Sequence, residues 1–402
     1  MSKKISIILL VFLSTILGLW IWSIAVPKNS IILGGSTSVN PFMQKLTKKY
    51  YDTDEGKDFI YNSTGSQAGV GGVEKDMYSA GFISKDINSG TLTKGNTFLD
   101  MCNDKQTEPN NGIKKCAYTS GEIPHSENLR KDSYVALEFA IDAIGIIYNA
   151  PAYWDEPVKY GVNDEKSITL NDIANFNIKT SDKNKVDGKK LLAEIYSGKK
   201  QWKEIATVLI SPYNNGEGEF DQQIYNGFTQ LINKQPGIKL VTFTREDGSG
   251  TRSAFSDLTG VKDMSSSNVV NSNGSMIENM QRAPSLGYVS NAFLTQLNDD
   301  GPIKLAGIDE YKLPIGKGNK PQEWKDETHE WEKMEIETED FIKTDYTFKR
   351  PFIAIFNTHT KKIEELMKLF DFMNSDKSNE VFESEGLVKD MNYQSLDGGA
   401  YA

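Results

Sequence analysis

The segment Thr244-Arg-Glu-Asp-Gly-Ser-Gly-Thr-Arg-Ser-Ala-Phe255 joins a predicted strand to a predicted helix. The apolar, β-branched run Ile238-Lys-Leu-Val-Thr-Phe243 precedes it. A strand that ends in glycines and enters a helix presents backbone N–H groups, which can bind an anion. Arg245 and Arg252 add charge-assisted donors suited to a tetrahedral oxyanion. The alternative is an ordinary surface turn, because Asp-Gly is a common turn signal.

Strands and helices also alternate in the first part of the chain. Three short apolar runs predict strands: Ile31–Leu33, Phe59–Tyr61 and Ala80–Ile83. Pro41 fits the first turn of a helix, where its missing N–H costs nothing. Apolar side chains of that helix recur at helical spacing and are expected in the core: Phe42, Leu46 and Tyr50. Alternation of this kind predicts an α/β fold whose ligands bind beyond the carboxyl ends of the strands.

Hydroxyl side chains follow four of the predicted strands: Ser36, Thr37 and Ser38; Ser63, Thr64 and Ser66; Ser84; and Ser249 and Thr251. Each hydroxyl can donate to an oxyanion, and each helix start adds N–H donors and a favourable dipole. Any one of them could be an ordinary helix cap. Four similar strand ends in one parallel sheet would, however, meet at one crevice.

The remainder of the chain suggests a second domain. Val135–Tyr148 is too long for one ordinary strand and predicts a crossing between domains, with Leu286–Ser290 as a possible return. Residues 88–133 form a polar excursion, and the charged residues 313–345 predict a surface insertion. Further helices are predicted at Gln67–Met77, Lys189–Tyr196 and Ile363–Met373, and a buried strand is predicted at Phe352–Phe356.

The composition restricts the class of protein. The 402 residues carry a formal net charge of -10, with 38% hydrophobic residues and a mean hydropathy of -0.47. These values are typical of a soluble globular body with two domains or one large one. Binding to nucleic acid is not expected, because it needs a basic surface.

The N-terminus predicts a membrane segment. Ile5–Val26 contains no charged residue, and a helix of that length spans about 33 Å, enough for a hydrocarbon core. Lys3 and Lys4 place the N-terminus on the cytoplasmic side, so that the body lies outside. Residues 1–27 are thus interpreted as a signal anchor in the cell membrane, and a cleaved signal peptide is the alternative.

Two cysteines and three histidines limit the chemistry. Cys102 and Cys116 could close a disulfide outside the cytoplasm or remain two thiols, and they are too few for a zinc site. None of the histidines lies near a site motif: His125, His329 and His359. The chain has no Gly-x-Ser-x-Gly elbow and no phosphate-binding P-loop. We therefore expect neither an enzyme, such as a phosphatase or serine hydrolase, nor a metal or cofactor.

Six motifs occur in a specific order: Gly35–Pro41, Ser63–Gly69, Gly81–Asp86, Asp142–Gly145, Arg245–Arg252 and Ala283–Val289. With them the chain resembles the phosphate-binding proteins of ABC-type phosphate importers. The resemblance runs from about residue 31 to about residue 295, with a weaker tail at Tyr346–Pro351. The Arg-x-Asp-Gly-Ser-Gly-Thr segment is its most specific part.

This resemblance implies a two-lobed periplasmic-binding-protein fold of type II, with mixed, mostly parallel sheets and two crossover segments. The first lobe would comprise residues 28–143 and 287–402, and the second residues 144–286. Inorganic phosphate would be buried between the lobes and delivered to the membrane permease subunits of an ABC importer. The protein would be a monomer. Binding of sulfate or molybdate, or a non-transport surface or signalling role, remains as an alternative.

The resemblance also implies a set of phosphate contacts: Ser38, Val39, Ser66, Ser84, Asp86, Arg245, Ser249, Gly250 and Thr251. Asp247 would hold Arg245 in place, and Arg252, Thr37 and Lys85 would support the site. The family commonly has an acidic residue directly after the third strand, where this chain has Ser84-Lys85-Asp86. Asp86 could accept the P–OH proton and thereby exclude sulfate. If Ser84 faces the ligand instead, Asp247 or another acceptor must discriminate, and Lys85 could contact the anion directly.

Overall fold

The computed structural model describes residues 30–53, 56–102, 112–121, 132–179, 185–214, 216–316 and 318–396. The predicted anchor at residues 1–27 and His125 lie outside these residues. In the part of the chain that is described, no helix has the length and apolar character needed to cross a membrane.

The described residues form the following strands: β1 Ile31–Gly35, β2 Phe59–Ser63, β3 Ala80–Ile83, β4 Thr97–Phe98, β5 Ile113–Ala117, β6 Ser133–Asn149, β7 Val158–Tyr160, β8 Lys166–Ile168, β9 Asn175–Phe176, β10 Val241–Arg245, β11 Asn268–Val270, β12 Ser285–Ser290, β13 Lys304–Leu305, β14 Gly307–Ile308, β15 Tyr311–Lys312, β16 Gln322–Lys325, β17 Glu330–Lys333, β18 Lys349–Asn357 and β19 Val388–Leu396. The α-helices are α1 Asn40–Tyr51, α2 Ser66–Glu74, α3 Gly188–Tyr196, α4 Trp202–Leu209, α5 Ser211–Asn214, α6 Asp221–Lys234, α7 Gly250–Thr259, α8 Asn273–Met280, α9 Asn291–Leu294, α10 Thr338–Thr344, α11 Ile363–Asn374 and α12 Asn379–Ser384.

The main sheet is mixed. Its strands follow the order β11-β10-β12-β6-β18-β3-β1-β2. The strands at each end run parallel, with β1 between β2 and β3 and with β10 between β11 and β12. The central strand β6 is antiparallel to both of its neighbours, β12 and β18. The prediction of parallel strands is thus confirmed at the two ends of the sheet, which carry the hydroxyl-rich turns.

Strand β6 connects two hydrophobic cores, as the length of the apolar run predicted. Its first half, from Val135 to Ala140, packs in the core of the first lobe. Its second half, from Ala143 to Tyr148, packs in the core of the second lobe. The two lobes therefore share one continuous strand.

The segment Leu286–Ser290, predicted as a possible return crossing, packs in one hydrophobic core. This segment is β12, which pairs with the second half of β6 and stays in the core of the second lobe. The chain continues in that core as far as Phe348, and β18 enters the first core with Phe352. We therefore propose that the second lobe extends to about residue 348 and includes the 313–345 insertion. Strands β14 to β17 of this region extend a small sheet that begins at β9.

The helix predictions are confirmed within one turn. Pro41 lies in the first turn of α1, and the predicted core residues Phe42, Leu46 and Tyr50 are buried. Burial of a side chain such as Phe42 or Leu46 stabilises the fold by about 1.5–3 kcal/mol. The predicted helix Gln67–Met77 is shorter than expected and ends at Glu74.

Cys102 and Cys116 form a disulfide in the structure, so the paired alternative is the one observed. Both residues are buried in the core of the first lobe. Cys116 lies on β5, which pairs with β19. The disulfide therefore ties part of the polar excursion to the first lobe.

Candidate functional site

The motif at residues 244–255 has the strand–turn–helix conformation that its sequence predicted. Strand β10 ends at Arg245, and α7 begins at Gly250. Ser249 caps this helix, since its side chain accepts a hydrogen bond from the backbone N–H of Arg252 at 3.4 Å. Gly248 has φ +85°, a conformation that favours glycine. The turn brings the N-terminus of α7 to the crevice between the lobes.

Arg245 is fully buried and links the two lobes. Its Nη2 donates to Thr37 Oγ1 of the first lobe at 2.6 Å. In its own lobe, Nη1 donates to Asn273 Oδ1 at 3.1 Å, and Nε and Nη2 donate to the two oxygens of Glu246 at 2.9 Å each. The Glu246 carboxylate therefore compensates the buried charge and fixes the plane of the guanidinium.

The predicted pairing of Asp247 with Arg245 is wrong. The Asp247 side chain is 94% exposed and pairs with Arg252 at 2.9 Å. The turn directs residue 247 towards solvent, whereas the preceding residue, Glu246, lies against the guanidinium. Arg252 supports the turn in another way, because its Nη1 donates to the backbone oxygen of Arg245 at 2.9 Å.

Hydroxyl groups from both lobes meet in the crevice. Ser38 Oγ lies 2.6 Å from Thr251 Oγ1 of the other lobe and also accepts a hydrogen bond from Asn273 Nδ2 at 3.3 Å. Ser36 Oγ lies 2.7 Å from Ser84 Oγ, and the N–H of Ser84 donates to Ser66 Oγ at 3.3 Å. The structure thus brings together the ends of β1, β3 and β10 and the start of α2.

Three other predicted donors are either bonded within their own turn or exposed: Val39, Ser63 and Thr64. The N–H of Val39 donates to the backbone oxygen of Ser36 at 3.2 Å, within its own turn. Ser63 and Thr64 are exposed at the surface. Of the three predicted hydroxyls at the second strand end, Ser66 is the buried one and the one that contacts Ser84.

The sequence did not decide which residue of the segment Ser84-Lys85-Asp86 faces the ligand. Ser84 is buried in the crevice, Lys85 is partly exposed and Asp86 is exposed. Lys85 lies at the rim, where it interacts electrostatically with Asp257 of α7. Ser84 is therefore the member of this segment that lies among the other crevice hydroxyls.

The sequence did not identify a buried ion pair behind Ser84. Arg350 donates from Nε and Nη2 to Asp142 Oδ2 at 3.0 and 2.8 Å. Its Nη1 donates to the backbone oxygen and to Oγ of Ser84 at 3.2 and 3.3 Å. Burial lowers the pKa of Arg350 and raises the pKa of Asp142, while each charge counteracts the shift of the other.

A sequence signal for this pair exists. Asp142 interrupts the apolar run of β6, and Arg350 directly precedes Pro351 and the apolar run of β18. A charge inside an apolar strand needs a partner. The sequence does not reveal which partner, because 208 positions separate the two residues.

The crevice can bind an anion without a metal. It contains the guanidinium of Arg245, a second guanidinium behind Ser84 and the N-termini of α2 and α7. Helix N-termini and guanidinium groups both favour negative charge. In the described part of the chain, no group of three or more His, Cys, Asp or Glu residues could hold a metal ion.

A family model described as a PBP superfamily domain matches residues 25–377. No curated protein sequence matches the chain.

Several solved structures are similar to the chain at low sequence identity. One is a putative phosphate ABC transporter substrate-binding protein with bound phosphate from Clostridium perfringens, with a TM-score of 0.50, 18% identity and coverage of 90% of this chain and 100% of that one. An ABC-type phosphate transport receptor from Vibrio cholerae has a TM-score of 0.48 and 16% identity, with coverage of 89% and 99%. PstS from Borrelia burgdorferi has a TM-score of 0.41 and 18% identity, with coverage of 90% and 99%. At 18% identity the first of these similarities concerns the fold alone.

Proposed function

This chain belongs to the PBP superfamily, and we propose that it is an extracytoplasmic solute-binding protein that captures inorganic phosphate between its two lobes. Its mixed α/β architecture is the two-lobed periplasmic-binding-protein fold of type II. In such folds a ligand is enclosed when the lobes close about a hinge.

One observation carries the proposal. The buried guanidinium of Arg245 reaches from the second lobe to Thr37 of the first, beside the Ser38–Thr251 contact and the N-terminus of α7. Donors from both lobes therefore surround one small region. A tetrahedral oxyanion can accept several such hydrogen bonds at once, and charge-assisted bonds are roughly twice as strong as neutral ones.

Most of the proposed contacts are those expected from the sequence, with some changes in role, and Val39 is left out because its N–H donates within its own turn. Ser38, Ser66, Ser84, Arg245, Gly250 and Thr251 line the crevice, and Ser249 caps the helix that presents Gly250. Glu246 takes the supporting role expected of Asp247, and Asp86 is not among the contacts that we propose.

The proposed function also implies partner proteins in the membrane and a position of the body outside the cytoplasm. We propose that the protein is a monomer that delivers phosphate to the permease subunits of an ABC importer, with its N-terminal segment in the membrane and its body outside. The Cys102–Cys116 disulfide supports this location, because disulfides persist mainly outside the cytoplasm.

Catalysis is not proposed. A serine nucleophile needs a base within hydrogen-bond distance. The partners of the buried Ser38 hydroxyl are Thr251 and Asn273, and those of Ser84 are Ser36 and Arg350. These groups bind and orient an anion but do not activate a hydroxyl.

Calorimetry tests this function. The full chain, purified in a mild detergent and freed of bound ligand by reversible denaturation, is titrated with inorganic phosphate. We expect 1:1 binding and a raised melting temperature. The absence of both heat and thermal shift would contradict the proposal.

An Arg245→Ala variant tests the location. We expect its phosphate affinity to fall by at least about 100-fold, because a buried charge-assisted donor is lost. Arg282→Ala is the matched control, since this arginine is exposed and pairs with Glu278 on the surface. Equal affinity of Arg245→Ala and the unmodified chain would place the anion elsewhere.

A further inference from the structure

The wall of the crevice around Ser84 is composed of donors. Arg350 Nη1 donates to Ser84 Oγ, which also lies 2.7 Å from Ser36 Oγ. Across the crevice is Gly250, the first residue of α7, whose helix start presents backbone N–H groups. The Ser84 oxygen is therefore already engaged by a guanidinium, and as a neutral hydroxyl it is a weaker acceptor than a carboxylate.

The carboxylates near this wall are paired with arginines or exposed to solvent. Asp142 pairs with Arg350, and Glu246 pairs with Arg245 through both of its oxygens. Asp247 pairs with Arg252 at the surface, and Asp86 lies at the exposed rim, where its charge interacts with that of Asp257 on α7. Among the described residues, no carboxylate hydrogen-bonds to Ser84 or to the other crevice hydroxyls Ser36, Ser38, Ser66 and Thr251.

We propose that this site recognises its anion by charge and tetrahedral shape, and that it binds sulfate with an affinity close to that for phosphate. This inference rests on the proposed function and specifies the ligand class of the same site. Phosphate at neutral pH retains a P–OH group, which gains most from a carboxylate acceptor. Sulfate has no such proton, and an unpaired carboxylate would repel it. A site without that carboxylate does not repel sulfate in this way.

Competition calorimetry on the full chain tests the inference. Phosphate and sulfate are titrated separately at about pH 8, and then sulfate is titrated into the phosphate-loaded protein. We expect dissociation constants within about tenfold of each other, which corresponds to about 1.4 kcal/mol. Phosphate binding with sulfate more than about 100-fold weaker would overturn the inference and leave the proposed function intact. Binding of neither anion would overturn the proposed function and the inference with it.

A variant supplies the missing carboxylate. We expect Ser84→Asp to weaken sulfate binding at least about 30-fold more than phosphate binding, because only phosphate offers a proton to the new acceptor. Ser84→Asn is the matched control, since it adds similar bulk without charge and should weaken both anions equally. Equal losses of both anions in Ser84→Asp would contradict the inference. If Ser84→Asp does not fold, the affinity ratio of the unmodified chain still decides.

Discussion

Gly250 and Ser84 oppose each other across the crevice so closely that a β-carbon on residue 250 would lie 2.1 Å from Ser84 Oγ. The same β-carbon would lie 2.4 Å from Ser66 Oγ. Real β-carbons do not approach other atoms so closely, so a side chain at residue 250 would force the Ser84 and Ser66 side chains, or the lobes themselves, to move. The constraint comes from the limited space and not from the backbone conformation, because this position lies in the first turn of the helix α7.

We expect Gly250→Ala to weaken phosphate binding by at least about 100-fold, because the methyl group holds the lobes apart and separates the donors of the two lobes. Calorimetry measures the affinity, and small-angle scattering shows whether phosphate still compacts the protein. Gly71→Ala is the control, because a β-carbon there meets nothing within 4 Å. Compaction of Gly250→Ala by phosphate, as in the unmodified chain, would show that closure does not need this glycine.

Two neighbouring acidic residues should respond differently to loss of charge. Glu246 receives two hydrogen bonds from the buried Arg245, whereas the Asp247 side chain is 94% exposed. We expect Glu246→Gln to weaken phosphate binding by about tenfold, because the guanidinium loses its orienting partner. Asp247→Asn should change the affinity by less than about twofold, since an exposed ion pair contributes little. The reverse order of effects would restore the pairing predicted from the sequence.

The sequence predicted the local parts of the site. A strand, a glycine turn and a helix start are short-range patterns, so Arg245 and the hydroxyls of Ser38, Ser84 and Thr251 could be proposed in advance. The choice between Glu246 and Asp247 depends on how one turn is rotated, which adjacent positions do not specify. Arg350 joins the site through contacts with two distant strands, and no local pattern encodes such a contact.

The lobe boundary that we propose differs from the predicted one for a related reason. An apolar strand such as β12 fits equally well as a crossing segment or as a member of one lobe. Its pairing with the second half of β6 decides between them. No local sequence pattern specifies which strand β12 pairs with.

The buried pair of Asp142 and Arg350 should matter for folding. Their side chains are 0% and 2% exposed. We expect Asp142→Asn to lower the free energy of unfolding by about 3–5 kcal/mol, because Arg350 is left buried without a counter-charge. Urea denaturation followed by tryptophan fluorescence measures this value. Glu278→Gln, which breaks the exposed pair with Arg282, should cost less than about 1 kcal/mol.

A double variant separates charge from packing. In Asp142→Leu combined with Arg350→Met, no buried charge remains unpaired, and we expect at least half of the lost stability to return. The urea midpoint and slope are compared with those of Asp142→Asn. A double variant that is no more stable than Asp142→Asn would show that packing around Asp142, and not the unpaired charge, causes the loss.

Glu138, in the first-lobe half of β6, should make stability depend on pH. It is fully buried, with Oε2 2.5 Å from Lys115 Nζ and from Gln394 Nε2, and burial raises its pKa to about 7. A raised carboxyl pKa favours the folded state below the unfolded value, and this contribution is lost as the pH rises through about 7. Because one unit of pKa corresponds to about 1.4 kcal/mol, the loss is on the order of 3 kcal/mol. Urea denaturation between about pH 4.5 and 8 measures the free energy of unfolding, and we expect it to decline less steeply with pH in Glu138→Gln than in the unmodified chain. The control Glu330→Gln, which changes an exposed glutamate, should decline as the unmodified chain does. Parallel curves for all three proteins would exclude Glu138 as the titrating group.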